Sequence, residues 1–97
     1  MKKLSDEQVR AGLEKLPEWS ASGGKITRTY QFEDFVQSMR FVDQVASAAE
    51  ADQHHPDILI RYNKVTLTLS THDAHGITKK DFALAHKADD FAGHLVA

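Results

Sequence analysis

Residues 50–81 read EADQHHPDILIRYNKVTLTLSTHDAHGITKKD, and this stretch decides the fold. It opens as the end of a helix, which Pro56 must break, because the residue before a proline is pushed out of the α region. Asp57 to Tyr62 and Lys64 to Ser70 then read as two strands. Val65, Leu67 and Leu69 alternate with Thr66, Thr68 and Ser70, the period of a sheet with one buried face. Asn63, with Lys64, supplies a tight turn, since Asn tolerates positive φ. A loop from Thr71 to Ile77 follows. Thr78 caps a last helix, with Asp81 at its third position facing the exposed amides. Four of the six histidines fall in this stretch: His54, His55, His72 and His75. A hairpin between His55 and His72 would fold them toward each other. Imidazole titrates near neutrality, so such a cluster is a candidate for proton transfer.

Working toward the N-terminus, residues 33 to about 53 carry the longest helical signal. Phe35, Met39, Val42, Ala46 and Ala49 follow helical spacing, and Val36, Phe41 and Val45 widen the face. That width predicts contact on two sides, with the sheet and with another subunit. Residues 25–32 alternate as a strand, with Ile26, Tyr30 and Phe32 on one face and Arg28 interrupting the row. A Ser-Ala-Ser-Gly-Gly turn precedes it, and a short strand near Trp19 would complete a first hairpin. Residues 5–16 read as a helix: Ser5 and Gln8 stand in capping-box spacing, and Val9, Gly12, Leu13 and Leu16 form its stripe. Pro17 ends it. Toward the C-terminus, Leu84, Ala88, Phe91 and Leu95 give the last helix its apolar face.

The expected order is α-β-β-α-β-β-α. An α+β fold follows: a four-stranded antiparallel sheet with three helices packed on one face. With 97 residues and no linker or low-complexity tract, residues 1–97 read as a single domain. A net charge of −2 without a basic block gives no nucleic-acid footprint. No apolar run approaches a membrane span, and the first residues, MKKLSDEQVR, lack the apolar core of a signal peptide. A soluble cytoplasmic protein is the expectation. The absence of cysteine excludes disulfides, thiolate metal sites and thiol catalysis.

Glu50 and His54 stand four apart, so on a continuing helix they share a face and the carboxylate would orient the imidazole. His55 would point roughly 100° further round. His72 begins the loop after the second hairpin strand, so the helix end and the loop start would border one pocket. His72 and His75 also have ligand spacing, but no HExxH pattern or cysteine accompanies them, and no metal is expected. His86 and His94 read as solvent-facing. Trp19 reads either as a packed aromatic or as an apolar wall for a flat ligand.

The sequence resembles the pterin-4a-carbinolamine dehydratases, also called dimerisation cofactors in animals. Their pattern is an acidic or related residue, three residues, His-His-Pro, an aromatic after five or six residues, nine more, a His, and an Asp at least eight further on. Glu50, His54, His55, Pro56, Tyr62, His72 and Asp81 satisfy it in register. The segment YNKVTLTLSTH and the region of Trp19 are also similar to family members, and the likeness runs from about Leu4 to Phe91. Gln53 departs from the acidic residue common before the histidine pair, and Ile58 from a frequent Trp. His75 stands where some relatives carry a small or apolar residue.

The resemblance implies dehydration of a 4a-hydroxytetrahydropterin to the quinonoid dihydropterin, recycling the pterin of aromatic amino acid hydroxylases. It implies His54, His55 and His72 as catalytic acid and base, with no cofactor. Glu50, Trp19, Ser70, Thr71 and Asp73 would contact the pterin or orient the histidines. Pro56, Tyr62 and Asp81 would be architectural, Pro56 ending the helix, Tyr62 packing at the hairpin and Asp81 capping the last helix. Homodimers or homotetramers are implied as well. Two other classes compete: an interaction protein that kept only the scaffold, and a histidine-rich metal-binding module.

Overall fold

The computed structural model describes residues 1–96. The elements run α1 (Asp6–Leu13), β1 (Ser20–Ser22), β2 (Lys25–Gln31), α2 (Phe35–Asp52), β3 (Asp57–Arg61), β4 (Lys64–Leu69) and α3 (Lys79–Val96), with a 3₁₀ turn at His72–Ala74. This is the α-β-β-α-β-β-α order expected from sequence. Ser5 caps α1 through a reciprocal box with Gln8. The helix stops at Leu13, earlier than the expected Leu16. Its last turn tightens into i→i+3 bonds such as Leu16 N–H to Leu13 C=O at 3.0 Å, ahead of Pro17.

The sheet order is β1-β2-β4-β3, antiparallel throughout. Gly23 and Gly24 both take positive φ, 59° and 75°, as a two-residue hairpin turn requires. In the second hairpin the left-handed residue is Tyr62, with φ 54°, and not Asn63. Asn63 is committed elsewhere: its C=O accepts from Phe32 N–H at 2.7 Å and its side-chain amide donates to Phe32 C=O at 3.1 Å. Tyr62 is therefore a solvent-exposed turn residue, 65 % accessible, and does not pack at the hairpin.

Pairing aligns Ile26 with Leu69 and Tyr30 with Val65, so these side chains share the buried face. The opposite face carries a threonine ladder, with the Thr29 and Thr66 hydroxyls 2.7 Å apart. Arg28, which broke the apolar row, lies on the core face. Its guanidinium reaches Asp89 of α3 at 2.8 Å and sits 4.2 Å above the Tyr30 ring. Tyr30 O–H (2.5 Å) and Trp19 Nε1–H (3.0 Å) donate to the same Asp89 oxygen.

Helix α2 presents a different stripe from the one its spacing predicts. Ser38, Phe41, Val45 and Ala49 are buried, whereas Phe35 and Val36 are 48 % and 58 % exposed. Apolar residues surround most of this helix, so periodicity alone does not select a face. Packing against Tyr30 and Phe32 does: their rings lie 4.6 and 5.0 Å from that of Phe41. On α3, Leu84, Ala85, Ala88 and Ala92 are buried, while Phe91 and Leu95 pack at the core margin.

Candidate active site

The site forms where α2 ends, β4 ends and α3 begins. Gln53 takes the left-handed conformation (φ 50°, ψ 44°), Gln53 N–H reaches Glu50 C=O, and His54 N–H reaches back to Ala49 C=O at 3.0 Å. This is a Schellman stop built on a residue other than glycine. It turns the chain at His54, which leaves the helical path and enters the core at 8 % exposure. Pro56 then sends the chain outward into β3, and His55 stays exposed.

The reversal overturns the expected pairing. Glu50 does not orient His54; its Oε2 lies 2.5 Å from His55 Nε2 in an exposed pair. His54 Nε2 instead meets Asp81 Oδ1 at 2.6 Å. Asp81 is fully buried. Its second oxygen accepts from Thr78 N–H at 2.8 Å and from the Thr71 hydroxyl at 2.9 Å. Lys80 N–H donates to Thr78 Oγ1 at 3.2 Å, an N-cap bond at the second helical position. Asp81 thus caps α3 as expected, and it also holds a histidine, which local spacing could not reveal.

A carboxylate only accepts, so His54 Nε2 carries the hydrogen, and in the neutral imidazole Nδ1 is then the bare nitrogen. Nδ1 has no protein partner, yet no unpartnered side-chain nitrogen or oxygen is sealed from solvent among the described residues. Nδ1 therefore opens to the adjoining cavity of about 350 Å³, which His54, His55, His72, Ser70, Thr71 and Asp73 line. His55, Ser70 and His72 also border a second lobe of about 280 Å³, which extends over the open sheet face past Lys25, Asp57 and Thr68. The loop bearing His72 is closed by Thr71 N–H to Gly76 C=O at 2.9 Å, with His75 left-handed at φ 59°.

The structure brings His54, His55 and His72 together, with Ser70, Thr71 and Asp73 beside them. Ser70 donates to Gly24 C=O at 2.9 Å and so anchors the first hairpin to the site. Trp19 does not reach the cavity. It is 4 % exposed, its ring stands edge-on to Tyr30, and its N–H is spent on Asp89. Tyr62 lies at the far end of the hairpin. Met1, Gln53 and Lys80 also line the cavity. Met1 comes from the distant N-terminus, which the bond from Leu4 N–H to Ile77 C=O lays along this loop, so sequence spacing carried no signal for it. Lys25, Asp57 and Thr68 were readable as open-face positions once strand register was known. Among the described residues, no three His, Cys, Asp or Glu side chains are grouped to hold a metal ion. A separate groove of about 380 Å³, between α1 and the Gly23–Gly24 turn, holds no histidine.

Comparison with known proteins gives a consistent result. The profile of the family described as pterin 4 alpha carbinolamine dehydratase matches residues 2–91. A Nocardia farcinica (strain IFM 10152) protein, provisionally named pterin-4-alpha-carbinolamine dehydratase, is 52 % identical over 92 % of this chain and 94 % of its own length. A crystal structure of a transcriptional coactivator/pterin dehydratase from Brucella melitensis superposes with a TM-score of 0.93 at 34 % identity, covering 95 % of this chain and all of that one. A pterin dehydratase-like RuBisCO assembly factor of the alpha-carboxysome shares the fold alone, at 22 % identity and a TM-score of 0.65 over 77 % of this chain and 87 % of its own. With a profile match over nearly the whole length and a histidine-lined cavity built from its most distinctive stretch, the chain belongs to the pterin-4a-carbinolamine dehydratase family of hydro-lyases.

Proposed function

We propose that this protein dehydrates a 4a-hydroxytetrahydropterin, with its histidine cluster as the acid–base centre. The single observation that carries the mechanism is His54: Nε2–H is fixed on buried Asp81 while Nδ1 opens to the cavity shared with His55 and His72. In the reaction the C4a–O bond breaks and the hydroxyl leaves as water. N5 loses its proton, and the C4a=N5 double bond of the quinonoid dihydropterin forms. His54 Nδ1 is the base for N5–H, and Asp81 stabilises the imidazolium that results. His72 delivers the proton to the departing hydroxyl, with His55 as a second acid or base. The balance closes without redox change. Such a 4a-hydroxy product arises from a pterin-dependent hydroxylase, which places this enzyme in recycling the pterin of aromatic amino acid hydroxylases.

The family names of the relatives support the substrate class. Among the described residues no helix is long and apolar enough to cross a membrane. The cytoplasm is the setting proposed here. The protein acts as a homodimer or homotetramer; half-exposed Phe35, Val36 and Leu59, on α2 and the edge strand β3, support this. The direct test generates the carbinolamine in situ with a hydroxylase and follows its decay by absorbance. Wild-type protein should speed that decay in proportion to its concentration. A folded protein that leaves the decay at the buffer rate would refute the proposal. Light scattering reads the oligomer, and a monomer at micromolar concentration would refute that part.

A further inference from the structure

The hydroxyls of Thr71 and Thr78 form a chain whose direction is fixed at the Asp81 end, where the carboxylate can only accept. The backbone N–H of Lys80 can only donate, and Thr78 Oγ1 accepts it at 3.2 Å. The Thr78 hydroxyl hydrogen is then available to Thr71 Oγ1, 2.7 Å away. Thr71 gives its own hydrogen to Asp81 Oδ2 at 2.9 Å. Asp81 Oδ1 is left for His54 Nε2–H at 2.6 Å. Reversing the threonine pair would take a donor away from a fully buried carboxylate.

Helix capping does not account for Thr71. The cap of α3 needs only the Thr78 hydroxyl and the Asp81 carboxylate, on either side of the first turn. Thr71 lies outside α3, at the end of β4, and the next residue is His72. Its hydroxyl therefore joins the segment that carries His72 to the carboxylate that holds His54. Sequence reasoning placed Thr71 as a substrate contact; its hydrogen is committed to Asp81 instead.

We infer that Thr71, backed by Thr78, is a positioning residue: the directed hydroxyl chain sets the Asp81 rotamer, which keeps His54 protonated at Nε2 and bare at Nδ1. This rests on the proposal that His54 exchanges a proton with substrate. The test compares Thr71→Val, which keeps the shape and removes the hydroxyl, with Thr71→Ser, which restores it. Thr71→Ala replaces the valine variant if that chain does not fold. The ¹⁵N resonances of His54, assigned by their loss in His54→Gln, report which ring nitrogen carries the hydrogen. Thr71→Val should move them toward mixed-tautomer values and lower kcat roughly 10- to 100-fold, the scale of a displaced catalytic group, with KM little changed. Thr71→Ser should restore both. Unmoved His54 resonances in a folded hydroxyl-free variant would overturn the inference. Moved resonances with unchanged kcat would instead overturn His54 as the proton carrier, and the positioning role with it.

Discussion

His54 Nε2 lies 2.6 Å from Asp81 Oδ1, although 27 positions separate them in the chain. The contact joins the stop of α2 to the start of α3 and buries a carboxylate completely. It also selects which imidazole nitrogen faces the cavity. One pair therefore serves the fold and the chemistry, and the two roles separate by substitution. Asp81→Ala removes a helix cap and leaves the Thr71 hydroxyl and Thr78 N–H without their acceptor. It should cost about 2–4 kcal/mol in urea unfolding. Asp81→Asn keeps the shape and should lose less stability, but turnover should fall about 10²-fold or more, because the amide no longer stabilises the imidazolium. Equal turnover in Asp81→Asn and wild type would contradict this assignment.

Glu50 and His55 make the contrasting pair. Both side chains are mostly exposed, so solvent screens them. Glu50→Gln should change the unfolding free energy by less than about 0.5 kcal/mol. It should lower turnover less than Asp81→Asn does. A chemical-denaturation curve and a rate on the same preparation check both statements.

Tyr30 predicts a loss of alkaline stability. Burial first, and then its hydrogen bond to Asp89, hold the hydroxyl protonated far above its ordinary value of 10.0. In the unfolded chain Tyr30 ionises near that value. Its contribution to stability is therefore complete below pH 10.0 and shrinks as pH rises above it, because only the unfolded state then releases the proton. The slope approaches about 1.4 kcal/mol per pH unit. Tyr30→Phe should be less stable at neutral pH by about 0.5–1.5 kcal/mol, and its urea midpoint should decline less steeply above pH 10.0. Parallel declines in the two proteins would contradict the argument.

The face of α2 is equally open to test. Phe41 is fully buried and Phe35 is 48 % exposed. Phe41→Ala should cost about 3–5 kcal/mol through the cavity it leaves. Phe35→Ala should cost less than about 1 kcal/mol at low protein concentration. The reverse order would restore the stripe that helical spacing alone predicts.

These cases show what the chain discloses locally. Alternation in Val65–Ser70 and the Ser5–Gln8 and Thr78–Asp81 caps are written in neighbouring residues, so the element order and the two antiparallel hairpins were legible. The histidine set was legible for the same reason, as a dense run flanking a hairpin. What failed depended on tertiary choice. Gln53 adopts a left-handed conformation that its side chain does not advertise, and that single turn gives His54 to Asp81 and leaves Glu50 to His55. Trp19 was ambiguous because an indole suits a ligand wall and a core equally; Asp89, far along the chain, decided it. Arg28, an anomaly in its strand, was the other half of that same partly buried cluster.

His54 and His72, which line one cavity, are the proposed carriers of the protons of carbinolamine dehydration. The most direct measurement is the dehydration rate of hydroxylase-generated 4a-hydroxytetrahydropterin with wild type, His54→Ala and His72→Ala at matched circular dichroism. Wild type should accelerate the decay, and each variant should lose on the order of 10²- to 10⁴-fold of that acceleration. Folded variants that turn over as fast as wild type would contradict it.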